Sequence, residues 1–245
     1  MSKSGKRRNK KMSYRCPKCF RTEQCCLCSY TKQFDPEVKF VLLMHPKESK
    51  KQRTGTGRLC KISMKDCEII EGIDFSQNAR LQNLLNDSRY FPVLMYPGPD
   101  AMNAKSEQLK LQMKSNPKKK ILAILIDGTW FCARQIINKN KYLLNLNKMS
   151  FSKNYTSIFT FKKEPHPECL STLETCYYFI QELKENDFIN KNINPEPLMN
   201  VFKQMIKFQL QAENERVSGL RPNVHAGNFR YTKLKEIPDF KIEKY

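Results

Sequence analysis

Six apolar residues in a row, Ile121-Leu122-Ala123-Ile124-Leu125-Ile126, run straight into Asp127-Gly128-Thr129-Trp130. An uninterrupted apolar stretch of this length reads as a buried strand. The segments around it alternate in type. Strands are expected at Val38–Met44, Cys67–Ile73, Val93–Tyr96 and Ser157–Phe161. Helical spacing marks residues 77–87, where Leu81, Leu84 and Leu85 share a face, and helices are also expected at 105–115, from Trp130 to about Leu144, from near Ser171, and over 197–217. Strands alternating with helices imply an α/β domain with a largely parallel sheet flanked by helices.

Length and composition agree with one such domain plus a small appendage: 245 residues, 40% of them hydrophobic, are enough for a real core. The charge balance is strongly positive, 44 Lys and Arg against 24 Asp and Glu, or +20. That excess favours a polyanionic partner, most simply nucleic acid. No apolar stretch is long enough to span a membrane, and no amphipathic anchor helix supports a peripheral membrane role. Residues 1–12 carry six Lys or Arg and no hydrophobic period, so they read as a disordered basic tail or as a nuclear address.

The chain has ten cysteines, five of them within residues 16–28, and no secretory signal. This points to a reducing, intracellular and most simply cytoplasmic setting, with thiolate ligands rather than disulfides. Cys16, Cys19, Cys26 and Cys28 form a C-x2-C-x6-C-x-C array, the ligand set of a closed tetrahedral zinc site. Residues 13–34 are too few to bury a core, so metal binding would supply the folding energy of this zinc knuckle. Cys25 is a spare that is able to take the place of Cys26. Arg15, Lys18 and Arg21 surround the array and are candidates to touch RNA phosphates.

In open α/β sheets, ligands bind beyond the carboxyl ends of the strands. Asp127, Gly128, Thr129 and the only tryptophan, Trp130, occupy such an end. The same residues also read as a helix start, with Asp127 or Thr129 as N-cap and Trp130 in the core, and the residues alone leave both readings standing. Ser171-Thr172-Leu173-Glu174 fits a capping box, whose helix N-terminus offers amide donors to an anion. Gly55-Thr56-Gly57-Arg58 is a glycine turn that matches neither a P-loop nor a dinucleotide fingerprint. His45-Pro46-Lys47-Glu48 follows a strand and is placed to line the same face.

In order along residues 16–176, these elements resemble the DTW-domain family of tRNA-uridine aminocarboxypropyltransferases. The matching stretches are the cysteine array, His45-Pro46-Lys47-Glu48, Thr56-Gly57-Arg58-Leu59, Tyr96-Pro97-Gly98, Asp127-Gly128-Thr129-Trp130 and Leu170-Ser171-Thr172-Leu173-Glu174. Asp127-Gly128-Thr129-Trp130 matches the D-x-T-W signature that names the family. Thr54-Gly55 precedes the Thr56-Gly57-Arg58 turn at a point where family members vary. The resemblance assigns residues 35–240 to the catalytic domain and implies a SPOUT-like fold, a class in which a trefoil knot is common. Knots are rare in general, and pattern alone would not suggest one.

The resemblance also implies a reaction. The 3-amino-3-carboxypropyl group of S-adenosylmethionine moves to N3 of a uridine in tRNA. On this reading Asp127 is the expected general base, with orienting S-adenosylmethionine as its alternative role, Trp130 stacks on a base or on adenine or merely packs, and Arg58 pairs with the carboxylate of S-adenosylmethionine. Gly57, Gly98, Thr129, Ser171 and Thr172 would hold the rest of that molecule. Three other functions are compatible with parts of the sequence: an S-adenosylmethionine-dependent RNA methyltransferase, a non-catalytic zinc-ribbon RNA-binding protein, and a DNA-directed regulator. The last lacks a helix-turn-helix or C2H2 pattern.

Overall fold

The computed structural model describes residues 14–51, 55–159 and 168–221. The basic tail 1–12, Thr54, the 161 end of the expected strand 157–161 and the end of the 35–240 domain lie outside these residues. Within them, five strands form one sheet in the order β2-β1-β4-β3-β5. They are β1 (Lys39–Met44), β2 (Cys67–Glu71), β3 (Tyr90–Met95), β4 (Lys120–Asp127) and β5 (Asn147–Met149), and every pairing is parallel.

Parallel neighbours need crossover connections, and helices supply them. α1 (Pro46–Lys51) and α2 (Gly57–Ser63) link β1 to β2, α3 (Ala79–Asn86) links β2 to β3, α4 (Glu107–Lys114) links β3 to β4, and α5 (Trp130–Lys139) follows β4. α6 (Thr172–Glu185) and α7 (Glu196–Val217) come last. Both central strands are apolar because both their faces are covered. Phe40, Leu42, Ile121, Ala123 and Leu125 point toward α2, α4, α6 and α7. Their alternates, Val41, Leu43, Leu122 and Ile124, point toward α3 and α5. The expected α/β class with a largely parallel, helix-flanked sheet is what forms.

Three details differ from the sequence reading. α1 and α2 are helices where a strand end and a glycine turn are expected, because two short lysine-containing segments give little periodicity to read. β5 is a three-residue strand at the sheet edge, too short to carry an alternation. Ser157, Ile158 and Phe159 are not in a strand. Buried carboxylates of α6 hold that segment instead. Glu174 accepts from the Ser157 hydroxyl at 2.8 Å and the Ile158 amide at 2.8 Å, and Glu182 accepts from the Ser152 amide at 2.9 Å.

Candidate active site and metal centre

β1 and β4 lie side by side, with Met44 in register with Asp127, yet the chain leaves them in opposite directions across the sheet. β1 leads outward to β2, whereas β4 leads over β3 to β5. This divergence opens a crevice at the carboxyl ends of the two strands, the place where α/β sheets bind ligands. A pocket of about 550 Å³ fills it, within the usual range for small-molecule sites. Its wall includes Glu48, Tyr96, Asp127, Trp130, Arg134 and Thr172.

Asp127 is the last residue of β4 and is buried. Its Oδ1 accepts from the Thr172 hydroxyl at 2.6 Å, and its carbonyl accepts from the His45 amide at 3.0 Å. α2 approaches it so closely that a Cβ on Gly57 would clash with Asp127 Oδ2, far inside van der Waals contact, and lie 3.0 Å from Met44 Cε. Gly57 is therefore glycine for lack of room rather than for a turn. On the other side, Glu48 Oε1 accepts from the Thr129 amide at 3.2 Å, joining α1 to the turn between β4 and α5. His45 is buried beneath them. Its Nδ1 accepts from the Lys47 amide at 3.1 Å, which leaves Nε2 to donate to Gln135 Oε1 at 3.1 Å.

Thr129, not Asp127, caps α5, its side chain accepting from the Cys132 amide at 3.4 Å. Trp130 is not a core residue: 54% of it is exposed on the pocket rim. Ser171 forms the expected capping box with Glu174. Its amide already donates to Glu174 Oε2 at 2.8 Å, so Thr172 rather than Ser171 faces the pocket. Gly98 lies next to the rim residue Pro97, outside the lining. Gly57 and Arg58 also lie outside it, but Arg58 lines a smaller cleft that shares Glu48, Gly55 and Asp127 with the main pocket. Sequence reasoning missed Arg134, Asn138 and Phe131. The first two fall four and eight residues after Trp130, a helical spacing that puts Trp130, Arg134 and Asn138 on the pocket side. Phe131 is 64% exposed, with the Lys47 ammonium 5.3 Å from its ring centroid.

The thiol sulfurs of Cys16, Cys19, Cys26 and Cys28 all lie within 4.8 Å of one another. Cys16 and Cys28 are 3.6 Å apart and Cys19 and Cys26 are 3.8 Å apart. A tetrahedron of thiolates about 2.3 Å from a zinc ion has edges of about 3.8 Å, so the donor set and its spacing fit a metal ion. Cys25 is not part of this group, and Cys26 is. The Cys16 thiol is drawn down to about 6, chiefly by the Cys19 amide, while burial and the neighbouring Cys16 sulfur push Cys28 up. Arg21 was expected to face phosphates but is buried. It donates to the Cys19 carbonyl at 3.2 Å and to Met205 Sδ at 2.8 Å, fixing the knuckle to α7. Tyr30 packs edge-on against Phe208 at 5.8 Å on the same helix.

Fold and site together define a parallel α/β domain with a carboxylate at the floor of its strand-end pocket and a four-thiol knuckle docked beside it. The chain belongs to the DTW domain family, which matches residues 13–210. It is 26% identical over 199 residues to tRNA-uridine aminocarboxypropyltransferase 2 of Macaca fascicularis, covering 80% of this chain and 63% of that protein. The protein of the same name in Mus musculus is 28% identical over 201 residues, again 80% and 63%. That of Drosophila melanogaster is 26% identical over 211 residues, 83% of this chain and 76% of the relative. The chain thus spans a little under two thirds of the macaque and mouse relatives. No solved structure matches it. Among the described residues, no helix is long and apolar enough to cross a membrane.

Proposed function

We propose that this chain transfers the 3-amino-3-carboxypropyl group of S-adenosylmethionine to N3 of a uridine in tRNA. The observation that carries this reading is Asp127, buried at the end of β4, tied to Thr172 and forming the floor of a pocket large enough for that co-substrate. The names of the relatives and the +20 charge support tRNA as the partner.

Uridine N3 attacks poorly until its proton leaves. Asp127 takes that proton as general base. The N3 lone pair then forms a bond to the terminal side-chain carbon of the aminocarboxypropyl group. The bond between that carbon and sulfur breaks, its electron pair neutralises the sulfonium, and methylthioadenosine leaves. S-adenosylmethionine supplies three activated carbons, and the protein selects one by alignment. Arg58, which lines a water-sized cleft of about 10 Å³ beside Asp127, is the cation assigned to the carboxylate of the transferred group. Trp130 and Thr172 line the space for the adenosine or for the uridine. The edge attacked is hidden in a duplex, so the target lies in a loop or is unstacked. Trp130 and Phe131, exposed together at the rim beside Lys47, suit an unstacked base. The cysteine site takes a structural zinc, whose four thiolates leave no open position for chemistry.

The test is incubation of the full chain with total tRNA and S-adenosylmethionine labelled separately in the methyl and in the carboxyl group. Carboxyl label entering RNA without methyl label is expected. Methyl label in RNA makes the protein a methyltransferase, and no label from either makes it a binding protein.

A further inference from the structure

Phe20 follows the second cysteine of the knuckle and has a backbone φ of 61°. This left-handed region is uncommon for residues other than glycine, which enters it without steric cost. A phenylalanine kept there needs a use for its ring. Two guanidinium groups lie over that ring, Arg15 at 5.1 Å and Arg58 at 4.7 Å from the centroid. Arg15 is also tied to the Phe20 carbonyl at 3.5 Å. Arg58 comes from the first turn of α2 and donates to the Ser49 carbonyl at 3.4 Å. The cleft that Arg58 lines is built jointly by knuckle residues Cys19 and Arg21 and by Glu48 and Asp127.

We propose that Phe20 is a positioning residue, held by the cysteine knuckle so that its ring pins Arg58 against the cleft beside Asp127, which makes the knuckle a wall of the active site. An arginine side chain left to itself samples many rotamers, and holding it costs entropy at every binding event. Stacking on a fixed aromatic face and donation to one carbonyl select a single arrangement in advance. The knuckle is itself fixed, because buried Arg21 joins the Cys19 carbonyl to Met205 on α7. A metal at the four thiols would therefore act on the pocket through Phe20 without touching a substrate. The link to substrate affinity rests on the reading of Arg58 given above, whereas the pinning of Arg58 does not.

Phe20→Gly separates the two. Glycine suits the left-handed backbone better than phenylalanine, so a residue that served only the knuckle's own fold would be replaced without loss. The experiment measures zinc per chain, melting temperature, and the rate at which phenylglyoxal modifies Arg58, followed by peptide mass spectrometry without any ligand. Phe20→Gly is expected to keep its zinc and melting temperature while Arg58 reacts about threefold faster or more, with Phe20→Tyr behaving like the wild type. Affinity for S-adenosylmethionine, read by calorimetry, should fall in Phe20→Gly and return in Phe20→Tyr. Unchanged Arg58 reactivity in zinc-loaded Phe20→Gly overturns the proposal, and so does loss of zinc from that variant. A wild-type chain that fails to bind S-adenosylmethionine would sink the transfer reading instead, leaving the Arg58 measurement to decide this one.

Discussion

The Thr172 hydroxyl donates to Asp127 Oδ1 over 2.6 Å, so the first residue of α6 sets the direction of the carboxylate that ends β4. Ser171, one residue earlier, spends its side chain on the cap and its amide on Glu174. The division of labour fixes what Asp127→Asn does. An amide oxygen still accepts from Thr172, but the side chain can no longer take a proton. The variant should fold, bind tRNA and bind S-adenosylmethionine, while single-turnover transfer falls on the order of 100- to 10,000-fold. Raising the pH should restore part of the rate, because solvent then removes the N3 proton. Wild-type single-turnover rates would remove Asp127 from the chemistry.

Gly57→Ala tests the close approach of α2 to the same carboxylate. The added methyl overlaps Asp127 Oδ2 and meets Met44 Cε at 3.0 Å, so the carboxylate must shift and the methionine must give slightly. Overpacking of this kind costs about 1–3 kcal/mol, visible as a lower denaturant midpoint. Turnover should drop more than stability alone accounts for, since the displaced group is the proposed base. An unchanged midpoint together with unchanged turnover would contradict the packing.

Cys16→Ser addresses the metal centre. Purified wild-type protein should carry about one zinc per chain, and the variant should lose metal and soluble yield. Cys25→Ser should keep both, because Cys25 lies outside the thiol cluster. Metal analysis by plasma emission reads the outcome, and a zinc-free chain that folds and turns over normally after chelation would exclude a structural ion.

Phe131→Ala should weaken tRNA binding by about 1–3 kcal/mol if its exposed ring carries a base, with the slope of affinity against salt unchanged. Lys47→Ala should lower the slope instead. Filter-binding titrations at several salt concentrations distinguish a lost stack from a lost charge. Equal wild-type affinity for Phe131→Ala would place the RNA elsewhere.

At the amino ends of the strands, opposite the pocket, Asp66 contacts Lys39 at 3.0 Å and Lys120 at 2.7 Å. Burial works to raise its pKa, but the hydrogen bonds and charge of Lys120 and Lys39 outweigh it and hold the carboxyl below its ordinary value. A depressed acid stabilises the fold above its unfolded pKa of about 3.9, and that contribution disappears as pH falls through the lower folded value. Asp66→Asn should therefore lower the melting temperature at pH 7, and the gap to the wild type should begin to close only as the pH falls below about 3.9. Melting curves across that range that stay a constant distance apart would refute the assignment.

The sheet and its central strand were readable because an unbroken apolar run has few other uses. Two site-forming features were not. Gly57 reads as a turn glycine from its neighbours, yet it is needed because residue 127 stands against it, a contact that no local spacing encodes. Segment 157–161 reads as a strand because Ile158, Phe159 and Phe161 favour one, but Glu174, fully buried on α6, takes the Ile158 amide and the Ser157 hydroxyl. The cysteine array was legible down to its four members only in part: spacing left Cys25 and Cys26 interchangeable, and three-dimensional placement separates them. Arg21 carried the opposite lesson, since a basic residue in a basic segment reads as surface until a partner 184 positions away is known.

That separation has a consequence for how the molecule comes into being. A ribosome adding about 5–20 residues per second makes Met205 roughly 10 to 40 s after Arg21. Throughout that interval the knuckle has its thiols but lacks the helix that receives Arg21 and Tyr30, so its apolar side waits in water. Metal capture can come early and docking only late, which makes nascent chains the species most exposed to thiol oxidation or to a shortage of zinc.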